Sequence, residues 1–183
     1  MPRPDRSRWI LLLLVQGEGG QRYNKPVVGR TRLIKELFLA KLAYGLKEIE
    51  YEFIPYWYGP FSPELYADLV ELKDNRLVSG NDSPGGEILS LTPGGVKAAQ
   101  AIERVAAASV LRKLRDCKVT YNSMPFEDLV TRVYERWPEY TARALRSPST
   151  MLEEFRRQAK RAKITEADVD RAIAEHRSRA SSA

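Results

Sequence analysis

The stretch from Ser62 to Pro93 leaves the chain little freedom of local structure. Ser62 offers a side-chain oxygen to the N–H groups of a first helical turn, Pro63 fits the first helical position, and Glu64 suits the positive end of the dipole. Leu65, Leu69 and Leu72 then recur at helical spacing, with Tyr66 and Leu77 at the edges of the stripe. Leu77-Val78-Ser79 and Glu87-Ile88-Leu89-Ser90-Leu91 have strand composition, and the Gly/Asn/Asp/Ser/Pro run at 80–86 between them reads as a loop. Thr92-Pro93 repeats the cap-plus-proline device and opens another helix, whose apolar side is Val96, Ala99, Ile102, Val105 and Ala106. Helix, two-stranded ribbon and helix in that order are the plan of a winged helix, with 80–86 as the wing.

The flanking segments are helical in pattern. Ser7 caps an apolar helix over 8–16, and the glycine-containing run 17–29 reads as a loop. Leu33, Ile34, Leu37, Phe38 and Leu42 predict a helix from Thr31 to about Tyr44, closed by Gly45. Tyr51–Tyr58 reads as extended and Gly59-Pro60 as a turn. After a break at 120–125, the spacing of Phe126, Leu129, Val130, Val133, Tyr134 and Trp137 predicts an amphipathic helix that Pro138 halts. A short helix at Tyr140–Leu145, a hinge at Ser147-Pro148-Ser149, a basic helix at Met151–Lys163 and a final helix capped by Thr165 and Asp168 complete the chain. The expected fold is mainly α with a small β-hairpin: a winged helix-turn-helix domain over 1–116 and a helical extension over 117–183, a candidate for dimerisation.

Several functional classes lose their chemistry at once. The chain has one cysteine, Cys117, and one histidine, His176, so neither an internal disulfide nor a Cys/His zinc site can be assembled. A nucleophile–histidine pair would need His176, which lies in a charged C-terminal stretch that reads as solvated helix surface. The glycine-rich pieces lack the spacing of a phosphate-binding loop. Trp9–Val15 is too short for a membrane span and is followed by no cleavage pattern, so it reads as a buried helix. The expectation is therefore a cytoplasmic protein that is not an enzyme and uses no cofactor or metal.

Gly29-Arg30-Thr31-Arg32-Leu33-Ile34-Lys35 leading to Phe38, then Tyr58-Gly59-Pro60-Phe61-Ser62 with Glu64-Leu65-Tyr66 and Asp68-Leu69, and Val133-Tyr134-Glu135-Arg136-Trp137-Pro138 give the chain a resemblance. Over about residues 8–145 it resembles the YwgA-like proteins, described as winged-helix transcriptional regulators, and more distantly the Panacea (SocA-like) antitoxin domain. The resemblance implies the fold more than the function.

Charge supplies the rest. Thirty basic residues against twenty-four acidic ones give a net charge of +6, which favours anionic partners. The distribution is uneven: residues 1–48 hold ten basic and four acidic residues, and residues 49–100 hold three and eight. Arg22, Lys25, Arg30, Arg32 and Lys35, around the 17–30 loop and the helix after it, are the candidates for backbone phosphates of double-stranded DNA, with a solvated face as the alternative. The recognition-helix position at 62–76 instead carries Glu64, Asp68, Glu71 and Asp74, which phosphates would repel. Two functions thus stand side by side. One is a DNA-binding transcriptional regulator, expected as a homodimer. The other is a protein-interaction module, such as an antitoxin or defence-system accessory subunit, whose acidic helix meets a basic partner.

Overall fold

Both capping devices form in the computed structural model, which describes residues 6–17, 24–56, 58–83 and 86–141. The elements are α1 (Arg8–Val15), β1 (Val27–Val28), α2 (Arg30–Leu42), β2 (Ile54–Tyr56), β3 (Gly59–Phe61), α3 (Pro63–Asp74), β4 (Val78–Asn81), β5 (Ile88–Leu91), α4 (Pro93–Glu103), α5 (Ala108–Tyr121) and α6 (Phe126–Arg136), ending in a 3-10 turn at Pro138–Thr141. The Ser62 hydroxyl accepts from the Leu65 N–H at 3.3 Å, and the Thr92 hydroxyl from the Gly95 N–H at 3.1 Å. The fold is mixed, with helices around a small antiparallel sheet.

That sheet contains the expected hairpin and one strand more. β4 and β5 pair with Val78 opposite Leu91 and Gly80 opposite Leu89, and β1 adds to the other side of β5, with Val27 opposite Leu89. The two residues of β1 fall in the segment read as a loop; flanked by Pro26 and Gly29, they are too few to show a strand period. A separate hairpin joins β2 to β3, with Ile54 opposite Phe61 and Tyr56 opposite Gly59. The Tyr-Gly-Pro element is therefore strand rather than turn at Gly59 and Pro60. Gly59 has φ +89°, and an added Cβ would lie 2.6 Å from a ring carbon of Tyr134, so both backbone and packing require glycine there.

One core holds the body together. Trp9 through Val15 are all buried, which explains why α1 is apolar on every side: α4, α5, α2 and β5 surround it. Leu33, Leu37 and Phe38 of α2, Leu65 and Leu69 of α3, Val78 and Leu89 of the sheet, and Leu114, Leu129 and Val133 of α5 and α6 belong to the same cluster. Phe38 meets Phe53, Trp137 and Tyr140 edge to face, with centroids 4.9–5.3 Å apart. The stripe of α6 is thus core.

Three expectations are corrected. The boundary at 116/117 falls inside α5, whose Leu114, Cys117, Lys118 and Tyr121 are buried in that core, so residues 117–141 pack as part of the body and not as an extension. The helix begun at Pro93 ends at Glu103, and α5 starts afresh at Ala108; Val105, expected on the apolar face, sits in the bend and is 86% exposed. The helix expected at Tyr140–Leu145 is instead the 3-10 turn Pro138–Thr141 as far as the described residues reach. His176, the basic run Met151–Lys163 and the Thr165–Asp168 cap lie outside the described residues. No described helix is long and apolar enough to cross a membrane.

Gly95 ties α4 to the hairpin. A Cβ there would overlap the backbone oxygen of Leu77, which already accepts the Thr92 N–H at 3.0 Å. Gly→Ala inside a helix ordinarily stabilises by about 0.5–1 kcal/mol. Here Gly95→Ala is expected to reverse that sign and destabilise by about 2–3 kcal/mol, because backbone cannot move aside as a flexible side chain can. Urea unfolding of the two proteins checks it, and a stabilised variant would contradict this packing.

Candidate functional site

The basic residues around the start of α2 divide sharply. Arg30 is half-buried: its Nε donates to Glu87 at 2.5 Å and its Nη1 to the Tyr66 hydroxyl at 2.5 Å. Glu87 also accepts from Lys73. Burial alone would raise the Glu87 carboxyl, but the hydrogen bonds and charges of Arg30 and Lys73 outweigh it and hold it below the usual carboxylate range. Lys25 is half-buried, and Arg22 lies outside the described residues.

Arg32 and Lys35 are not on the surface at all. Arg32 is 7% exposed and donates from its two terminal nitrogens to the carbonyls of Tyr121, at 2.7 Å, and Met124, at 2.8 Å. Lys35 is 1% exposed and donates to the Tyr58 carbonyl at 2.6 Å. A third buried cation, Lys118, donates to the carbonyls of Leu14 and Lys25, at 2.9 and 2.5 Å. Leu14 is in the last turn of α1 and Tyr121 ends α5, so two of these side chains meet the negative ends of helices. The placement of Arg32 and Lys35 as phosphate-holding surface residues is therefore corrected. α2 is enclosed by its neighbours, and a charge on an enclosed face must find its partners inside.

Glu36 shares this interior. It is fully buried, and neither carboxyl oxygen has a hydrogen-bond partner. Burial pushes its carboxyl up to about 8, against the charges of Lys118, Arg32 and Lys25 that favour ionisation. Burial likewise lowers the Lys118 amine, with Glu36 opposing. The Cys117 thiol donates to the Glu36 carbonyl at 3.4 Å and is raised by the same desolvation. Nothing in the spacing of Glu36 and Lys118 announced that they would meet, since 82 residues separate them in the chain.

The acidic helix also divides. Arg6 lies 3.7 Å from both Glu64 and Asp68, and the buried Tyr51 donates its hydroxyl to Asp68 at 3.0 Å. Glu71 and Asp74 remain exposed, beside Ala67 and a 42% exposed Val70. The outward face of α3 is therefore a small apolar strip with carboxylates along its far end. The aromatic run of the β2–β3 hairpin is packed, with Tyr56 stacked on Phe61 at 4.9 Å and Phe61 near Tyr66, and so offers no open platform for bases. Among the described residues, no group of His, Cys, Asp and Glu is placed to hold a metal ion.

Comparison with models of known protein families gives no match, and comparison with curated proteins gives none.

The raised Glu36 carboxyl has a definite consequence for stability. A carboxyl that titrates higher folded than unfolded favours folding fully below about pH 4.5, and that contribution is lost as pH rises through about 8. Glu36→Gln keeps the shape without the proton. Between pH 6 and 9 the wild-type chain is expected to lose about 2–3 kcal/mol relative to Glu36→Gln. Denaturant unfolding of both proteins across that range measures it; parallel curves would mean that the carboxyl finds its partners in solution.

Proposed function

We propose that the chain is a winged-helix protein-interaction module that offers the outer face of α3 to a basic partner, as an antitoxin or an accessory subunit of a defence system would. The element order supports the winged-helix reading: α1, β1, α2 and α3 precede the β4–β5 hairpin, and β1 completes a three-stranded sheet. The residues on which the resemblance to YwgA-like and Panacea-type proteins rests fall on or next to α2, β3, α3 and α6 of this body.

One observation carries the choice between the two functions. α3 holds the recognition-helix position, and its exposed end presents Glu71 and Asp74, whereas Arg32 and Lys35, which would have met phosphates, hold backbone carbonyls inside. A duplex groove would meet repulsion from α3 without the compensating cations. A basic protein surface would meet complementary charge, with Ala67 and Val70 allowing close approach.

The test is capture from the native host with the tagged full chain and with Glu71→Lys/Asp74→Lys. Charge reversal at an interface costs several kcal/mol, so a basic protein retained by the wild-type chain should fall by at least about tenfold in the double variant. A gel shift with duplex DNA accompanies it. A shift that weakens steeply with salt and strengthens on charge reversal would return the chain to the regulators of transcription.

A further inference from the structure

We infer that the outer face of α3 is covered by the outer face of α5 in a second copy of this chain. The inference rests on the exposed α3 face of the proposed function and adds a competitor for it. A second copy seated there masks the carboxylates until a basic partner displaces it.

The two faces match in composition. α3 buries Leu65, Leu69 and Leu72, so helical spacing puts Ala67, Val70, Glu71 and Asp74 on its opposite side, and all four are exposed. α5 buries Leu114, Cys117, Lys118 and Tyr121, which leaves Arg112, Arg115, Asp116 and Val119 outward, again all exposed. Val70 and Val119 are 42% and 43% exposed. Arg112 and Arg115, with Lys113 at the flank, set three cations against the one carboxylate of Asp116. On α3 the neighbouring Lys73 is turned to Glu87. Among the described residues, none of Glu71, Asp74, Arg112 and Arg115 makes an ion pair within the chain.

The faces also match in spacing. Glu71 and Asp74 are three positions apart, as are Arg112 and Arg115, which is about 4.5 Å of helix axis in each case. Laid antiparallel with Asp74 opposite Arg112, the helices bring Glu71 opposite Arg115 and Ala67 opposite Val119. Asp116 then comes opposite Val70 rather than a carboxylate. A parallel arrangement pairs the same charges but leaves Val119 beyond the last turn of α3, and it sets the two helix dipoles against each other. Exposed ion pairs contribute little singly, so the apolar contacts beside them, which exclude water, are needed as well. About two helical turns on each side make a small interface, which belongs to fast, salt-sensitive association. The contact joins unlike faces: two copies can exchange it reciprocally, or successive copies can add head to tail, and in both cases the mass rises with concentration.

The experiment is sedimentation of the full chain at concentrations up to about 200 µM, in about 50 mM and about 500 mM salt. The average mass should climb above that of the monomer at low salt and climb less at high salt. Glu71→Lys/Asp74→Lys and Arg112→Glu/Arg115→Glu should each associate at least about tenfold more weakly. An equimolar mixture of the two should regain the wild-type association, because opposite charges face each other again. Arg112→Gln/Arg115→Gln, which introduces no new charge, guards against an effect on the fold: it should lose association with an unchanged circular dichroism spectrum. A wild-type chain that stays monomeric, full association by either arginine variant, or a mixture that gains nothing over its parts would each overturn the inference. Arg112→Glu/Arg115→Glu leaves α3 untouched, so it should still capture the basic host protein of the proposed function. Capture by a wild-type chain that never self-associates sinks this inference alone; self-association without capture sinks only the other reading.

Discussion

The body of this protein depends on cations that stay inside it. Three buried side chains, Arg32, Lys35 and Lys118, each bind a backbone carbonyl of an element other than their own: the end of α5, the β2–β3 turn and the end of α1. Burying a charge is costly unless every donor is met, and the carbonyls at a helix C-terminus are the backbone groups best able to meet one. These bonds therefore satisfy two sets of groups together, the cations and the orphan carbonyls. They tie α2 to the end of α5 and to the β2–β3 hairpin, and α5 in turn to the end of α1. Truncating any of the three would leave uncovered carbonyls as well as a cavity.

Glu36 is the counterweight to this arrangement. Arg32 and Lys118 beside it are engaged with carbonyls, and its carboxyl receives charge but no hydrogen bond. Such a group is a weak contributor to stability at neutral pH and a sensitive one. The contact between α2 and α5 thus carries a proton-linked carboxyl beside the bonds that Arg32 and Cys117 make across it.

The same enclosure of α2 governs which surface is left for partners. With Arg32 and Lys35 turned inward and Arg30 paired to Glu87, the start of α2 faces the hairpin and its small cavity rather than open solvent. α3 buries Leu65, Leu69 and Leu72 and shows its remaining faces. Arg6 draws Glu64 and Asp68 back toward the body, which leaves the acidity concentrated at Glu71 and Asp74. The net charge of the whole chain, +6, therefore says little about the face that a partner would meet.

Local chemistry was readable without coordinates. Ser62-Pro63 and Thr92-Pro93 specify helix starts because a cap and a first-turn proline act within four residues, and the leucine spacing of α3 and the strand composition on either side of 80–86 act within ten. The apolar block at α1 declared a buried helix for the same reason. The sequence by itself thus determined α1, α2, α3, α6, the start of α4 and the main hairpin, through interactions between near neighbours. Only the tertiary structure decided that Val27-Val28 would find β5, that 117–141 would close the core, and that a run of basic residues would point inward. Those outcomes depend on which distant segments cover a given face, and a charge carries no mark of its own that distinguishes a carbonyl waiting inside from a phosphate waiting outside.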